Sequence, residues 1–116
     1  MVKILIVDDD KLDLFISKKL LNMEYSAEGF STLPEVLDWA RENTFDIVII
    51  DYYLVPPLLG DEVLRELRTL KGDAFKAYVL TNYVDQGQVE KLMEQGFSGV
   101  INKPLKLEEF VLLIDK

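Results

Sequence analysis

Short runs of branched apolar residues alternate along the chain with longer stretches in which apolar positions recur every three or four residues. The short runs have the pattern of strands buried on both faces, and the longer stretches that of helices with one apolar face. In chain order, "KILIV" at 3–7 predicts the first strand. Asp10 then caps a helix running to about Met23, with Leu12, Phe15, Ile16, Leu20 and Met23 at helical spacing as its core-facing stripe. A weaker strand is expected near 25–30, followed by Thr32 and Glu35 at capping-box spacing, with Pro34 in the first turn of a helix to about Glu42. "DIVII" at 46–50 is the third strand, and beyond Pro56 and Pro57 the pair Gly60-Asp61 opens a helix striped by Val63, Leu64, Leu67 and Leu70. Gly72 is its stop. "AYVL" at 77–80 is the fourth strand, and Asp85 caps a helix that Gly87 weakens and Gly96 ends. "GVI" at 99–101 and "LEEFVLLIDK" complete the series.

Five strand–helix pairs with right-handed crossovers predict an α/β fold, a doubly wound (βα)5 three-layer sandwich. For five strands the flavodoxin-like parallel order 2-1-3-4-5 is the common solution. Length and composition agree: 116 residues suit one domain, 1–116, and 49% hydrophobic with 29% charged residues is a globular balance.

Composition narrows the chemistry. Without cysteine or histidine the chain offers no disulfide framework, no thiolate or imidazole metal site and no histidine general base, so any metal must sit on oxygen. Thirteen basic against 21 acidic residues leave a formal charge of −8, which disfavours direct nucleic-acid binding by this chain. The first apolar run is too short for a signal-peptide core, and no run approaches a membrane span. A soluble, cytoplasmic protein is expected.

In doubly wound sheets, sites form outside the carboxyl ends of the strands, where the strand order reverses. Strand one ends in Asp8-Asp9, strand three in Asp51, strand four in Thr81, and strand five in Asn102-Lys103-Pro104. Strand two, at the edge in this order, ends on nothing reactive. Taken singly, each residue has a plain structural reading: Asp8, Asp9 and Asp51 as loop acids, Thr81 as a strand former, Lys103-Pro104 as a turn. Asp10 is read as a helix cap and left out of the site. Together they form a constellation. Three converging carboxylates repel unless cations join them, and Mg2+ with the Lys103 ammonium would supply that charge. A hydroxyl on Thr81 adds a donor, so the set suits phosphoryl transfer onto a carboxylate.

This arrangement resembles the receiver domain of two-component response regulators, in particular the chemotaxis-regulator type, over the whole chain. The resemblance implies Asp51 as the phosphoacceptor and Asp8 and Asp9 as the acidic pair, with Asp9 the direct Mg2+ ligand of the two. The Tyr53 backbone carbonyl is implied as a further metal ligand, Thr81 as the switch hydroxyl, and Lys103 as the partner of the acceptor and then of the phosphoryl oxygens. Pro104 follows that lysine through a peptide bond that is typically cis. The implied donor is a phosphohistidine on a sensor histidine kinase or a histidine phosphotransfer protein. The implied output is a contact with a downstream protein or with an output domain outside this chain.

Several positions depart from the family pattern. After Asp51, Leu54 keeps its usual place, but Val55 stands where proline is usual, prolines fall at 56 and 57, and the glycine comes at Gly60, which makes the loop one residue longer. Val100 replaces the aromatic residue that relays the switch, and Asn82 follows Thr81 where a small residue is usual. Tyr53 and Tyr83 border the path of the hydrolytic water, from which slow self-dephosphorylation is expected. Two rival readings are an interaction module of receiver fold that is never phosphorylated, and an aspartyl-phosphate phosphatase of the haloacid dehalogenase type. The second needs a carboxylate two residues after the nucleophile, where this chain has Tyr53.

Overall fold

The computed structural model describes residues 1–52, 60–82 and 86–115. Strands β1 (Lys3–Val7), β2 (Ser26–Phe30), β3 (Ile47–Asp51), β4 (Lys76–Thr81) and β5 (Gly99–Asn102) alternate with helices α1 (Lys11–Leu21), α2 (Leu33–Glu42), α3 (Gly60–Lys71), α4 (Gln86–Glu94) and α5 (Leu107–Ile114). All neighbouring strands are parallel, in the order β2-β1-β3-β4-β5. This is the predicted doubly wound sheet. Strands three, four and five each run one residue further than expected at the carboxyl end, so Asp51, Thr81 and Asn102 belong to the sheet itself.

Alternation along the strands divides the core into two layers. Leu5, Val7, Val48, Ile50, Ala77 and Val79 pack with Val36 and Ala40 of α2, Val63, Leu64 and Leu67 of α3, and Leu92 of α4. Ile4, Ile6, Ile47, Ile49, Tyr78, Leu80 and Ile101 pack on the other face with Leu21 of α1 and Phe110 of α5. Each fully buried Leu, Ile or Val contributes roughly 1.5–3 kcal/mol to stability, which explains why the central strands β1 and β3 carry four such residues each.

The helix ends follow local chemistry. The Asp10 side chain accepts from the Leu12 and Asp13 amides, both at 3.0 Å, as expected of a cap. Thr32 accepts from the Glu35 amide at 3.4 Å and donates its hydroxyl to the Glu35 carboxylate at 2.8 Å. Gly72 and Gly96, with φ of 68° and 106°, terminate α3 and α4 in the left-handed region that glycine tolerates. The expected cap at Asp85 lies outside the described residues.

One expectation is overturned. The stripe on α1 read as core is mostly solvent-facing: Leu12, Phe15, Ile16 and Met23 are 67, 56, 53 and 71% exposed. Instead Ser17 and Leu21 are buried, and half-buried Leu14 packs beside them against the sheet. The helix is apolar on two sides, and helical spacing cannot say which side the sheet takes. Gly29 on β2 makes room for the side taken, since a Cβ there would meet the tip of the Leu14 side chain at 2.4 Å.

Candidate functional site

The site lies at the carboxyl end of the sheet, where β1 and β3 are neighbours and the connections leave toward opposite faces. Val7 pairs with Ile50 in the β1–β3 register, so Asp8, the next residue after β1, comes beside Asp51, the last residue of β3. Asp8, Asp9 and Asp51 each offer a carboxylate oxygen, and these oxygens lie within 4.8 Å of one another. Asp8 and Asp51 are buried and Asp9 is half-buried. One Asp8 oxygen accepts from the Asp10 amide at 3.0 Å, while the other is buried with no hydrogen-bond partner.

Lys103 reaches in from the end of β5. Its ammonium donates to Asp51 Oδ2 at 3.1 Å and lies 3.7 Å from Asp13 Oδ2. The Lys103 amide donates to the Thr81 carbonyl at 2.8 Å, which ties the end of β5 to the end of β4. Thr81 is buried at that same edge. The Lys103–Pro104 peptide bond is cis. Val100, half-buried, pairs with Val79 and packs against the layer that holds Phe97 and Leu92. Tyr53, Leu54, Val55, Pro56, Pro57 and Tyr83 lie outside the described residues, and with them the Tyr53 carbonyl and the path of the longer loop. The base of that loop is described: the Gly60 amide donates to the Tyr52 carbonyl at 2.9 Å.

Burial pushes the Asp8 carboxyl up from 3.8 to about 7; the Asp10 amide opposes the rise, the Asp51 charge adds to it, and Lys103 opposes it. Burial also disfavours the charged form of Lys103, but its hydrogen bond to Asp51 and the charges of Asp51, Asp8 and Asp13 outweigh that effect and raise its affinity for the proton. The lysine is therefore a fixed cation facing more carboxylates than it can neutralise. An unpartnered, buried Asp8 oxygen and two further carboxylates within reach fit a hard divalent ion such as Mg2+, which takes oxygen ligands and retains waters.

Asp8, Asp9, Asp51, Thr81 and Lys103 thus gather at one edge of the sheet, as the strand ends predicted. Asp13 is the member that sequence reasoning missed. It stands in the first turn of α1, where an acidic residue is explained by the helix dipole, and no spacing rule connects it to Lys103.

A parallel sheet in this order with an oxygen-rich pocket at its switch point defines a doubly wound α/β protein whose clustered carboxylates fit a cation. The chain belongs to the response regulator receiver domain family of two-component signalling, whose model matches residues 4–115. A receiver domain protein from Clostridium thermocellum is similar at 27% identity with a TM-score of 0.84, over 99% of this chain and 92% of that one. The polar-differentiation response regulator DivK of Brucella anthropi is 28% identical over 93% of this chain and 89% of its own length. The autoinducer 2 sensor kinase/phosphatase LuxQ of Vibrio vulnificus is also 28% identical over 93% of this chain, which spans only 13% of LuxQ's length.

Proposed function

We propose that Asp51 accepts a phosphoryl group from a phosphohistidine of a sensor histidine kinase or a histidine phosphotransfer protein, and that the phosphorylated domain switches a protein–protein contact. The observation that carries this reading is the Asp51 carboxylate hydrogen-bonded to Lys103 at 3.1 Å while sharing a pocket with Asp8 and Asp9. In the transfer, an Asp51 oxygen forms the new P–O bond as the P–N bond breaks, and its electron pair leaves with the imidazole. Lys103 holds the acceptor and then balances the phosphoryl oxygens, and the Thr81 hydroxyl donates to one of them. Asp8, Asp9 and Asp51, with the Tyr53 carbonyl that the family resemblance implies, would hold Mg2+, which would offset the charge of the carboxylates and of the phosphoryl group.

The exposed apolar side of α1 supports a protein as the donor. Phe15, Ile16, Leu20 and Met23 flank Lys18 and Lys19 around an open hollow, on the helix whose first turn carries Asp13 beside the site. A helical partner bearing the phosphohistidine would cover that surface while presenting its imidazole to Asp51. The output is a downstream protein or an output domain outside this chain, and the setting is cytoplasmic. Slow loss of the phosphoryl group belongs to the same reading, on the sequence positions of Tyr53 and Tyr83, two residues after Asp51 and two after Thr81.

The same apolar surface would also serve an interaction module that is never phosphorylated, and Val100 in place of the relay aromatic favours that second reading. Titration with Mg2+ and then beryllofluoride, followed by tyrosine fluorescence and by amide shifts at Asp51, Thr81 and Lys103, separates the two. The phosphoacceptor reading expects two successive saturable responses; a silent titration would leave the constitutive module.

A further inference from the structure

We propose that Asp13 is a positioning residue of this site, a second anionic seat that draws the Lys103 ammonium part of the way off Asp51 and so restrains phosphoryl transfer. The inference rests on the phosphoacceptor reading and adds a residue that sets its rate. Lys103 Nζ lies between two carboxylates, at hydrogen-bonding distance from Asp51 Oδ2 (3.1 Å) and at ion-pairing distance from Asp13 Oδ2 (3.7 Å). The two seats differ in kind. The Asp51 side chain is 7% exposed and that of Asp13 47%, so the inner pair is the stronger and the outer one the looser.

The orientation of Asp13 is not accounted for by its helix. As the third residue of α1 it stands where an acidic side chain commonly folds back onto the cap residue's amide. Here the Asp10 amide donates to Asp8 Oδ1 instead, at 3.0 Å. The Asp13 carboxylate lies across the cleft from the β5–α5 connection and lines a cavity of about 320 Å³ with Ser17, Asn82, Lys103 and Pro104. That space beside the ammonium lets a flexible four-carbon side chain shift between its seats. A phosphoryl group arriving on Asp51 needs the whole charge of the lysine. Asp13 holds part of it back and adds a negative charge of its own to the rim.

The test compares wild type, Asp13→Asn and Asp13→Glu for the rate of Asp51 labelling by a small acyl phosphate with saturating Mg2+, so that docking of a protein donor plays no part. Thermal unfolding and the NMR signal of the Lys103 ammonium are followed in parallel. The Asn variant should label faster by about fivefold, as expected for one charge removed at this range, and should shift the lysine signal. The Glu variant should stay near wild type. Wild type and Asn labelling at the same rate, or Asn labelling more slowly, would overturn the inference and leave Asp13 a first-turn helix acid visible only in Tm. Absence of labelling in all three would overturn the phosphoacceptor reading, and this inference with it.

Discussion

Replacing Asp8 by asparagine removes a buried charge while keeping an oxygen for the Asp10 amide, which Asp8 accepts at 3.0 Å. Its second oxygen, now without a partner, would become an amide nitrogen able to donate toward Asp51. The magnitude follows from linkage. The Asp8 carboxyl titrates near 3.8 when exposed and is pushed up to about 7 by its burial in the fold. At about 1.4 kcal/mol per pH unit, keeping it ionised in the folded protein costs on the order of 4 kcal/mol. The native state holds its proton more tightly than the unfolded chain, so this stabilising contribution is complete below pH 3.8 and is lost as pH rises to about 7. Asp8→Asn should therefore match wild type near pH 4 and exceed it increasingly up to pH 8, in urea unfolding without divalent metal. Mg2+ should narrow that gap by more than half, because an ion binding only the folded state at about a hundredfold its Kd adds roughly 2.7 kcal/mol to wild type and little to the variant. A stability difference that stays constant from pH 4 to pH 8, or a variant less stable than wild type at pH 8 without metal, would refute the reasoning.

Gly60→Ala would place a Cβ 3.1 Å from the Tyr52 Cα and 3.3 Å from the Asp51 carbonyl oxygen. Those neighbours are backbone, so about 1–3 kcal/mol of stability should be lost together with labelling of the displaced Asp51, read by unfolding and by phosphate incorporation. Phe15→Ser combined with Met23→Ser should change stability by less than about 0.5 kcal/mol per site, since both are exposed, yet slow labelling by a phosphohistidine protein without affecting an acyl phosphate donor. Phe110→Ala should cost about 3–5 kcal/mol in chemical unfolding. Its ring is buried and packs edge-on to Tyr25 and Tyr78, at 5.6 and 6.4 Å.

Most of the fold was legible because the strands other than β2 are dense apolar runs and most helices begin or end on a residue with its own chemical reason, Asp10, Thr32, Gly72 and Gly96 among them. The gathering of Asp8, Asp9, Asp51 and Lys103 was legible too, since strand ends in a doubly wound sheet share one edge. The side of α1 that meets the sheet was not, because it depends on packing between elements, of which Leu14 seated over Gly29 is one contact. Asp13 was hidden for a related reason. Its approach to Lys103 joins the first turn of α1 to the end of β5, and neither segment's pattern refers to the other.

The central claim is that this chain is a receiver whose Asp51 takes up a phosphoryl group under the guidance of Lys103 and a divalent ion. Intact-mass measurement after incubation with a phosphohistidine protein or an acyl phosphate tests it most directly. The account predicts one added phosphoryl group that requires Mg2+, is released by hydroxylamine as an acyl phosphate must be, and is absent from Asp51→Asn. A phosphoryl group retained by Asp51→Asn, or added equally well without divalent metal, would contradict it.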